Sequence, residues 1–194
     1  MLKNLLLFKA GWVACVVLAA RDQPQLAALA VAAVVLIHLD SVAVPVKEAL
    51  LLVAAAVVGL VWESFMVWTG LLMYSQSNPS GFFAPYWIVA MWVLFATTIN
   101  HGLAWVKRNW MMSAGAGLLG GPLAFYAGAG MGAVSFSNIA AALVVIGLGW
   151  AVLLPMLVLL ADTLIDSTFL EPDSDHRSGT RPLTVLAARN EPNA

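Results

Sequence analysis

Long apolar stretches alternate with short polar connections along most of the chain. A helix that crosses the roughly 30 Å hydrocarbon core of a bilayer needs about 20 mainly apolar residues. The apolar stretches divide into about six pieces of that length, at 4–20, 25–40, 49–73, 84–106, 112–131 and 139–161. The sequence therefore predicts an all-α fold, an integral membrane bundle of about six transmembrane helices within residues 1–161.

The composition changes at Asp162. From there to the end, acidic and basic side chains are mixed with proline, serine and asparagine, as in Asp173-Ser174-Asp175. Such a segment buries too little apolar surface to offset its chain entropy. We predict a polar, disordered cytoplasmic tail over residues 162–194.

Composition and charge support a membrane location and exclude several functions. Hydrophobic residues make up 62% of the chain and charged residues 10%, where a soluble domain carries about 25% charged residues. The net charge of −1 gives no basis for nucleic-acid binding, and the single cysteine, Cys15, excludes an internal disulfide. Short loops rich in lysine and arginine stay on the cytoplasmic side of the membrane. We therefore predict an inner-membrane protein with both termini cytoplasmic. The basic residues on that side are Lys3, Lys9, Lys47, Lys107, Arg108, Arg177, Arg181 and Arg189.

The fourth apolar segment carries polar residues close to a basic end. Asn100 and His101 precede Lys107, and on a continuous helix Thr97 would lie one turn before both. Polar groups in hydrocarbon need partners in the protein or in a water-filled cavity. Two interpretations remain open: a ligand, metal or proton site that faces inward, or an interhelical hydrogen-bond knot.

Glu63 lies close to the middle of the third apolar segment. A charged carboxylate at that depth costs several kcal/mol, so Glu63 is expected to be protonated, paired or facing a cavity. It could be a functional acid or a neutral structural one. Helix rise places His101 about 12 Å from Glu63 along the membrane normal. We predict a polar pocket built from Glu63, Thr97, Asn100 and His101, with the two ends as successive stations rather than one metal site.

A second group of polar residues lies at the cytoplasmic ends of the second and third segments. His38 and Asp40 end the second segment and Glu48 opens the third. With His101 they could form a cluster suited to a divalent metal or to proton exchange, or they could simply contact water at the interface. Their spacing matches no known ligand motif, so we predict no metal and no cofactor. His38, Asp40 and Tyr126 are secondary site candidates.

The fifth segment is rich in small residues at intervals of four. Such spacing lets helix backbones touch, so this helix is expected in the centre of the bundle. A broken-helix ligand site of the transporter kind is the alternative, since Pro122 removes a backbone hydrogen bond. The residues predicted to pack are Gly117, Gly120, Gly121, Pro122, Ala124 and Gly128.

Four sequence blocks resemble a family of small bacterial inner-membrane proteins known only as a domain of unknown function. They are Phe8 to Trp12 with Cys15, Trp92 to Trp105, Gly120 to Leu123 with Tyr126 to Gly128, and Gly149-Trp150 with Pro155. The resemblance implies a polytopic protein of unassigned activity. Genes of that family often lie beside cyclopropane-fatty-acid-synthase-like and amine-oxidase-like enzymes, which implies membrane lipid and other envelope or lipid-modification proteins as partners.

The sequence favours a non-enzymatic accessory or small-solute and lipid-handling component of the envelope. It contains no GxSxG and no HExxH motif. The alternative is a membrane-embedded lipid-modifying enzyme that uses Glu63 or His101 as acid or base. The sequence therefore does not decide whether the protein is an enzyme, although it favours a non-enzymatic role.

Overall fold

The computed structural model describes residues 2–75 and 82–166, and this part of the chain is all-α apart from one small two-stranded sheet. The predicted fold class is confirmed. The helices are α1 (Leu2–Ala20), α2 (Pro24–Ser41), α3 (Pro45–Trp68), α4 (Tyr86–Ala96), α5 (Trp110–Gly130) and α6 (Ile139–Asp166). A 3-10 helix covers Ala104–Arg108, and the strands are β1 (Leu72–Tyr74) and β2 (Val134–Phe136).

Four of these helices, α1, α2, α3 and α6, are long and apolar enough to cross a membrane. Large apolar side chains also cover their outward faces, where water would be an unfavourable neighbour. Examples with well over half of their surface exposed are Leu29, Leu36, Val53, Val61, Val152 and Leu159. The fold thus presents to its surroundings the kind of surface that lipid covers.

The third helix is shifted toward the N-terminus relative to the predicted span 49–73. It begins at Pro45, because proline is favoured in the first turn, where its missing N–H has no helical partner to lose. It ends at Trp68, and Gly70 then adopts a φ of +71°, a left-handed conformation that suits glycine. The last two residues of the predicted span, Leu72 and Met73, belong to β1 instead.

The fourth apolar segment, predicted as one helix over 84–106, is α-helical only from Tyr86 to Ala96. The hydroxyls of Thr97 and Thr98 donate to the carbonyls of Leu94 and Phe95, at 2.7 and 2.6 Å. Such back-bonding competes with the helix. The N–H groups of Thr98 and Ile99 then donate to carbonyls three residues back, and the chain turns irregularly as far as the 3-10 helix.

This irregular stretch packs inside the protein. Thr97, Thr98 and Ile99 are buried, and the Asn4 amide of α1 donates to the Thr97 carbonyl at 3.0 Å. Non-helical backbone at membrane depth is tolerated where protein covers it and satisfies its polar groups. The helical wheel predicted for Thr97, Asn100 and His101 therefore does not apply, since the three residues do not share a helix.

A two-stranded sheet closes one end of the bundle. Strands β1 and β2 pair antiparallel, with Leu72 opposite Phe136 and Tyr74 opposite Val134. Ser75, just after β1, donates its hydroxyl to the carbonyl of Ala19 at 3.1 Å. The sheet thus links the end of α3, the α5–α6 connection and the end of α1.

The final helix extends beyond the predicted boundary at Asp162. Helix α6 continues to Asp166, so residues 162–166 are helical rather than part of a disordered tail. Asp162 forms an ion pair with Lys107 at 2.6 Å, which supplies a partner for this last turn. The rest of the predicted tail, 167–194, lies outside the described residues.

Helices α5 and α6 are in close contact through glycines. A Cβ atom added at Gly117 would overlap the backbone carbonyl of Trp150, and one added at Gly121 would lie 2.6 Å from the Trp150 indole. Across the same contact, a Cβ at Gly147 would lie 3.1 Å from the Leu118 carbonyl. The glycines therefore let these two backbones approach each other.

We expect Gly117→Ala to destabilise the protein by roughly 1–3 kcal/mol, because the new methyl group meets backbone rather than a movable side chain. Unfolding in detergent micelles, followed by circular dichroism, measures the change. Gly115→Ala is the matched control on the same helix, because a Cβ there meets nothing within 4 Å. Equal stability of the two variants would contradict the proposed close contact.

Candidate functional site

Glu48 brings two histidines together at one end of the bundle. His38 lies in the last turn of α2 and Glu48 lies in the first turn of α3, and residues 42–44 connect these two helices. His101 lies in the irregular stretch after α4. Glu48 Oε2 is 3.3 Å from His38 Nε2, and Glu48 Oε1 is 3.3 Å from His101 Nε2. We call His38, Glu48 and His101 the His/Glu cluster.

The His/Glu cluster is buried on one side and accessible on the other. His38 and Glu48 are 6% and 8% exposed, whereas the His101 side chain is 33% exposed. A small cavity of about 150 Å³ adjoins the cluster, and its lining includes Asn4, Ser41, His38 and His101. Solutes can therefore approach the imidazoles without passing through the apolar core.

A chain of polar contacts holds Glu48 in place. The Asn100 amide donates to Glu48 Oε1 at 3.0 Å, and Lys107 Nζ donates to Asn100 Oδ1 at 2.8 Å. Lys107 also pairs with Asp162 of α6. Because Lys107 fixes the orientation of the Asn100 amide, the amide nitrogen is directed toward Glu48.

Glu63 forms a separate site that is closed to solvent. It is 0% exposed, and its two carboxyl oxygens each accept one hydrogen bond, from Tyr74 Oη at 2.5 Å and from Trp92 Nε1 at 2.8 Å. Burial, with the neighbouring Glu63, raises the pKa of Tyr74 well above its ordinary value, so the phenol stays protonated and donates. Gly59 leaves the space that the Trp92 indole occupies.

The residues predicted to share one pocket are divided between these two places. Positions 48 and 63 of α3 are separated by about 22 Å at 1.5 Å per residue, so His101, beside Glu48, lies much farther from Glu63 than the 12 Å expected from helix rise. Asn100 and His101 join Glu48, whereas the Thr97 hydroxyl bonds within its own chain segment. Asp40 and Tyr126 are exposed and belong to neither group.

The sequence did not reveal the donors to Glu63. Tyr74 lies just beyond the third helix, and Trp92 lies in a helix with several other aromatic residues. One signal was available: a buried acid needs donors, and tyrosine and tryptophan are the aromatic residues that carry one. That argument identifies tyrosine and tryptophan as possible donors, but it does not identify which of the eight tryptophans bonds to Glu63.

An apolar cavity of about 640 Å³ lies between α1, α4, α5 and α6. On α5 its wall runs from Ala116 to Gly128, about 18 Å at 1.5 Å per residue. Gly120 contributes no side chain, and a Cβ added there meets nothing within 4 Å. Aromatic residues form much of the wall, among them Phe8, Trp12, Trp92, Phe95, Phe125 and Trp150.

Few polar groups line the apolar cavity. Tyr74 and Trp92 contribute ring surface, while their polar atoms bond to Glu63. Lys9 also lines it, and among residues 2–75 and 82–166 no hydrogen bond or ion pair engages its ammonium group. The arrangement is an elongated apolar space with one cation in its wall.

The model of one protein family matches residues 1–156, which contain the His/Glu cluster, Glu63 and all of the residues that line the apolar cavity. The chain belongs to the family described as Protein of unknown function (DUF2878). The predicted membership in a family of unknown function is thereby confirmed. No curated protein and no solved structure matches this DUF2878 chain.

We expect Glu63→Ala to destabilise this DUF2878 protein by roughly 2 kcal/mol or more, because it leaves the Tyr74 hydroxyl and the Trp92 N–H buried without an acceptor. Glu63→Gln is the matched variant: its oxygen can accept from Trp92 while its amide donates to Tyr74 Oη. Thermal unfolding in detergent compares the two. If Glu63→Gln is as unstable as Glu63→Ala, the carboxylate charge matters beyond these two hydrogen bonds.

Proposed function

We propose that the protein is a multi-pass inner-membrane protein that binds a membrane lipid, with an acyl chain held in the apolar cavity. The observation that carries this proposal is the cavity itself. Its volume of about 640 Å³ lies within the 300–1,000 Å³ typical of ligand pockets. Its walls are aromatic and aliphatic, and its length along α5 suits an extended chain better than a compact solute.

Selection of a lipid from the bilayer cannot rest on hydrophobicity alone. An acyl chain is already in hydrocarbon before it binds, so removal from water contributes little. Close packing against the cavity wall, where Trp92 stacks on Trp150 at a ring distance of 4.6 Å, supplies dispersion contacts instead. A polar contact to the headgroup supplies the remaining selectivity.

Lys9 is suited to that headgroup contact. It lies on α1 about 10 Å from the start of the helix at Leu2, at 1.5 Å per residue, and a long lysine side chain can extend toward the membrane interface. An ammonium group without a protein partner attracts an anionic phosphate. The proposed ligand is therefore an anionic phospholipid.

The cavity favours lipid binding over the enzymatic alternative. An acid or base must come within hydrogen-bond reach of its substrate, but both oxygens of Glu63 are engaged by Tyr74 and Trp92. His101 lines the small cavity beside Glu48 rather than the apolar cavity. Neither residue predicted as acid or base faces the space proposed for the lipid.

Filling the apolar cavity tests the proposal. We expect wild-type protein extracted in mild detergent to retain lipid in native mass spectra, and Gly120→Leu to lower the affinity for that lipid at least tenfold, about 1.4 kcal/mol. Leucine at position 120 enters open space in the cavity, so the fold is retained. Gly115→Leu is the matched control, because it also enters open space but does not line the cavity. Lipid-free wild type, or equal occupancy in Gly120→Leu, would contradict the proposal.

The headgroup contact has its own test. In nanodiscs that contain equal amounts of anionic and zwitterionic lipid, we expect Lys9→Gln to reduce the enrichment of bound anionic lipid roughly fivefold, as the loss of about 1 kcal/mol per lysine implies. Lys3→Gln serves as the control for general surface charge, since Lys3 lies on the same helix but outside the apolar cavity. An equal change in both variants would argue against a specific contact at Lys9.

A further inference from the structure

We propose that His38, Glu48 and His101 bind a divalent transition-metal ion. One ligand atom from each residue lies within 4.8 Å of the other two. Two imidazoles and a carboxylate form a donor set that divalent zinc, iron and related ions accept. The site is distinct from the apolar cavity and does not depend on lipid binding.

The distances within the His/Glu cluster fit ligands that surround an ion. Each imidazole Nε2 is 3.3 Å from the nearer Glu48 oxygen. An N–H···O hydrogen bond has its most common length near 2.9–3.0 Å, whereas two ligands about 2.0–2.1 Å from a tetrahedral ion are roughly 3.3–3.4 Å apart. The observed N–O spacing therefore suits neighbouring metal ligands as well as it suits long hydrogen bonds, and one ligand atom from each of the three residues lies within 4.8 Å of the others.

The surrounding network orients the carboxylate ligand. Metal sites commonly hold their ligands through hydrogen bonds from an outer layer of residues. Here Asn100 donates to Glu48, and Lys107 in turn fixes Asn100. The positive charge of Lys107 is offset by Asp162 at 2.6 Å, so it opposes cation binding less than a free lysine would.

The site also has an entry path and room for a further ligand. The small cavity of about 150 Å³ reaches His38 and His101 past Asn4 and Ser41. This volume accommodates a few water molecules, each of which occupies about 30 Å³ in the liquid. Three protein ligands with a fourth position open to water is the arrangement of a reactive rather than a purely structural zinc site.

The test uses the full-length protein in detergent, with its affinity tag removed. After treatment with a chelator, the protein is titrated with Zn²⁺ and the retained metal is measured by elemental analysis after gel filtration. We expect one Zn²⁺ per wild-type chain and its loss in His38→Ala, Glu48→Gln and His101→Ala. Asp40→Asn and His176→Ala, which remove the neighbouring exposed acid and the remaining histidine, are expected to retain full binding.

A second measurement does not depend on the variants folding. Wild-type protein loaded with Co²⁺ is expected to show visible absorption typical of nitrogen and oxygen ligation, which stoichiometric Zn²⁺ abolishes. Wild type that retains neither ion would overturn the proposal, as would folded His38→Ala and His101→Ala proteins that still bind one Zn²⁺ each. Loss of binding in Asp40→Asn or His176→Ala to the same extent would also overturn it, because the metal would then be held elsewhere.

Discussion

The carboxylate of Glu48 determines the arrangement of one end of the bundle. A carboxylate that is 8% exposed must find polar partners, since an unpaired buried charge is among the most unfavourable groups in a protein. It takes them from His38 at the end of α2 and from Asn100 and His101 beyond α4. The irregular chain after Ala96 is held against α3 because its side chains meet this requirement, and Lys107 continues the network to α6.

Apolar length was enough to predict α1, α2, α3 and α6, but it did not predict where the fourth segment stops being helical. The residues from Tyr86 to Val106 are apolar on average. Hydropathy averaged over this stretch therefore does not show the effect of two adjacent threonines and a glycine. Hydrogen bonding by Thr97 and Thr98 to the preceding turn is a local effect that averages conceal. The two-stranded sheet had no local signal either, because the partner of Leu72 is Phe136, which is distant in sequence.

The two acids of α3 show what depth in a membrane does and does not indicate. Glu63 was singled out because its position makes a charge costly, yet donors from β1 and α4 bond to both of its oxygens and leave it closed to solvent. Glu48 lies at a helix start, where an acid is favoured by the helix dipole, and the sequence left open whether it joins a His and carboxylate cluster or simply contacts water. The fold brings His38 and His101 to it and leaves Asp40 exposed. Depth therefore predicts that an acid needs partners, while access to solvent determines whether it can bind a ligand.

The glycines of α5 contribute in two opposite ways that their spacing does not distinguish. Gly117 and Gly121 allow α6 to approach, because any side chain there would meet Trp150. Gly120 faces open space, and the absent side chain is part of what forms the apolar cavity. Helix α5 is thus in direct contact with α6 on one side and borders the apolar cavity, toward α1 and α4, on another. The lipid proposed to bind in the apolar cavity would exchange one apolar environment for another, so its selection would depend on the shape of the aromatic wall and on Lys9, the one cation among the described residues that line the cavity.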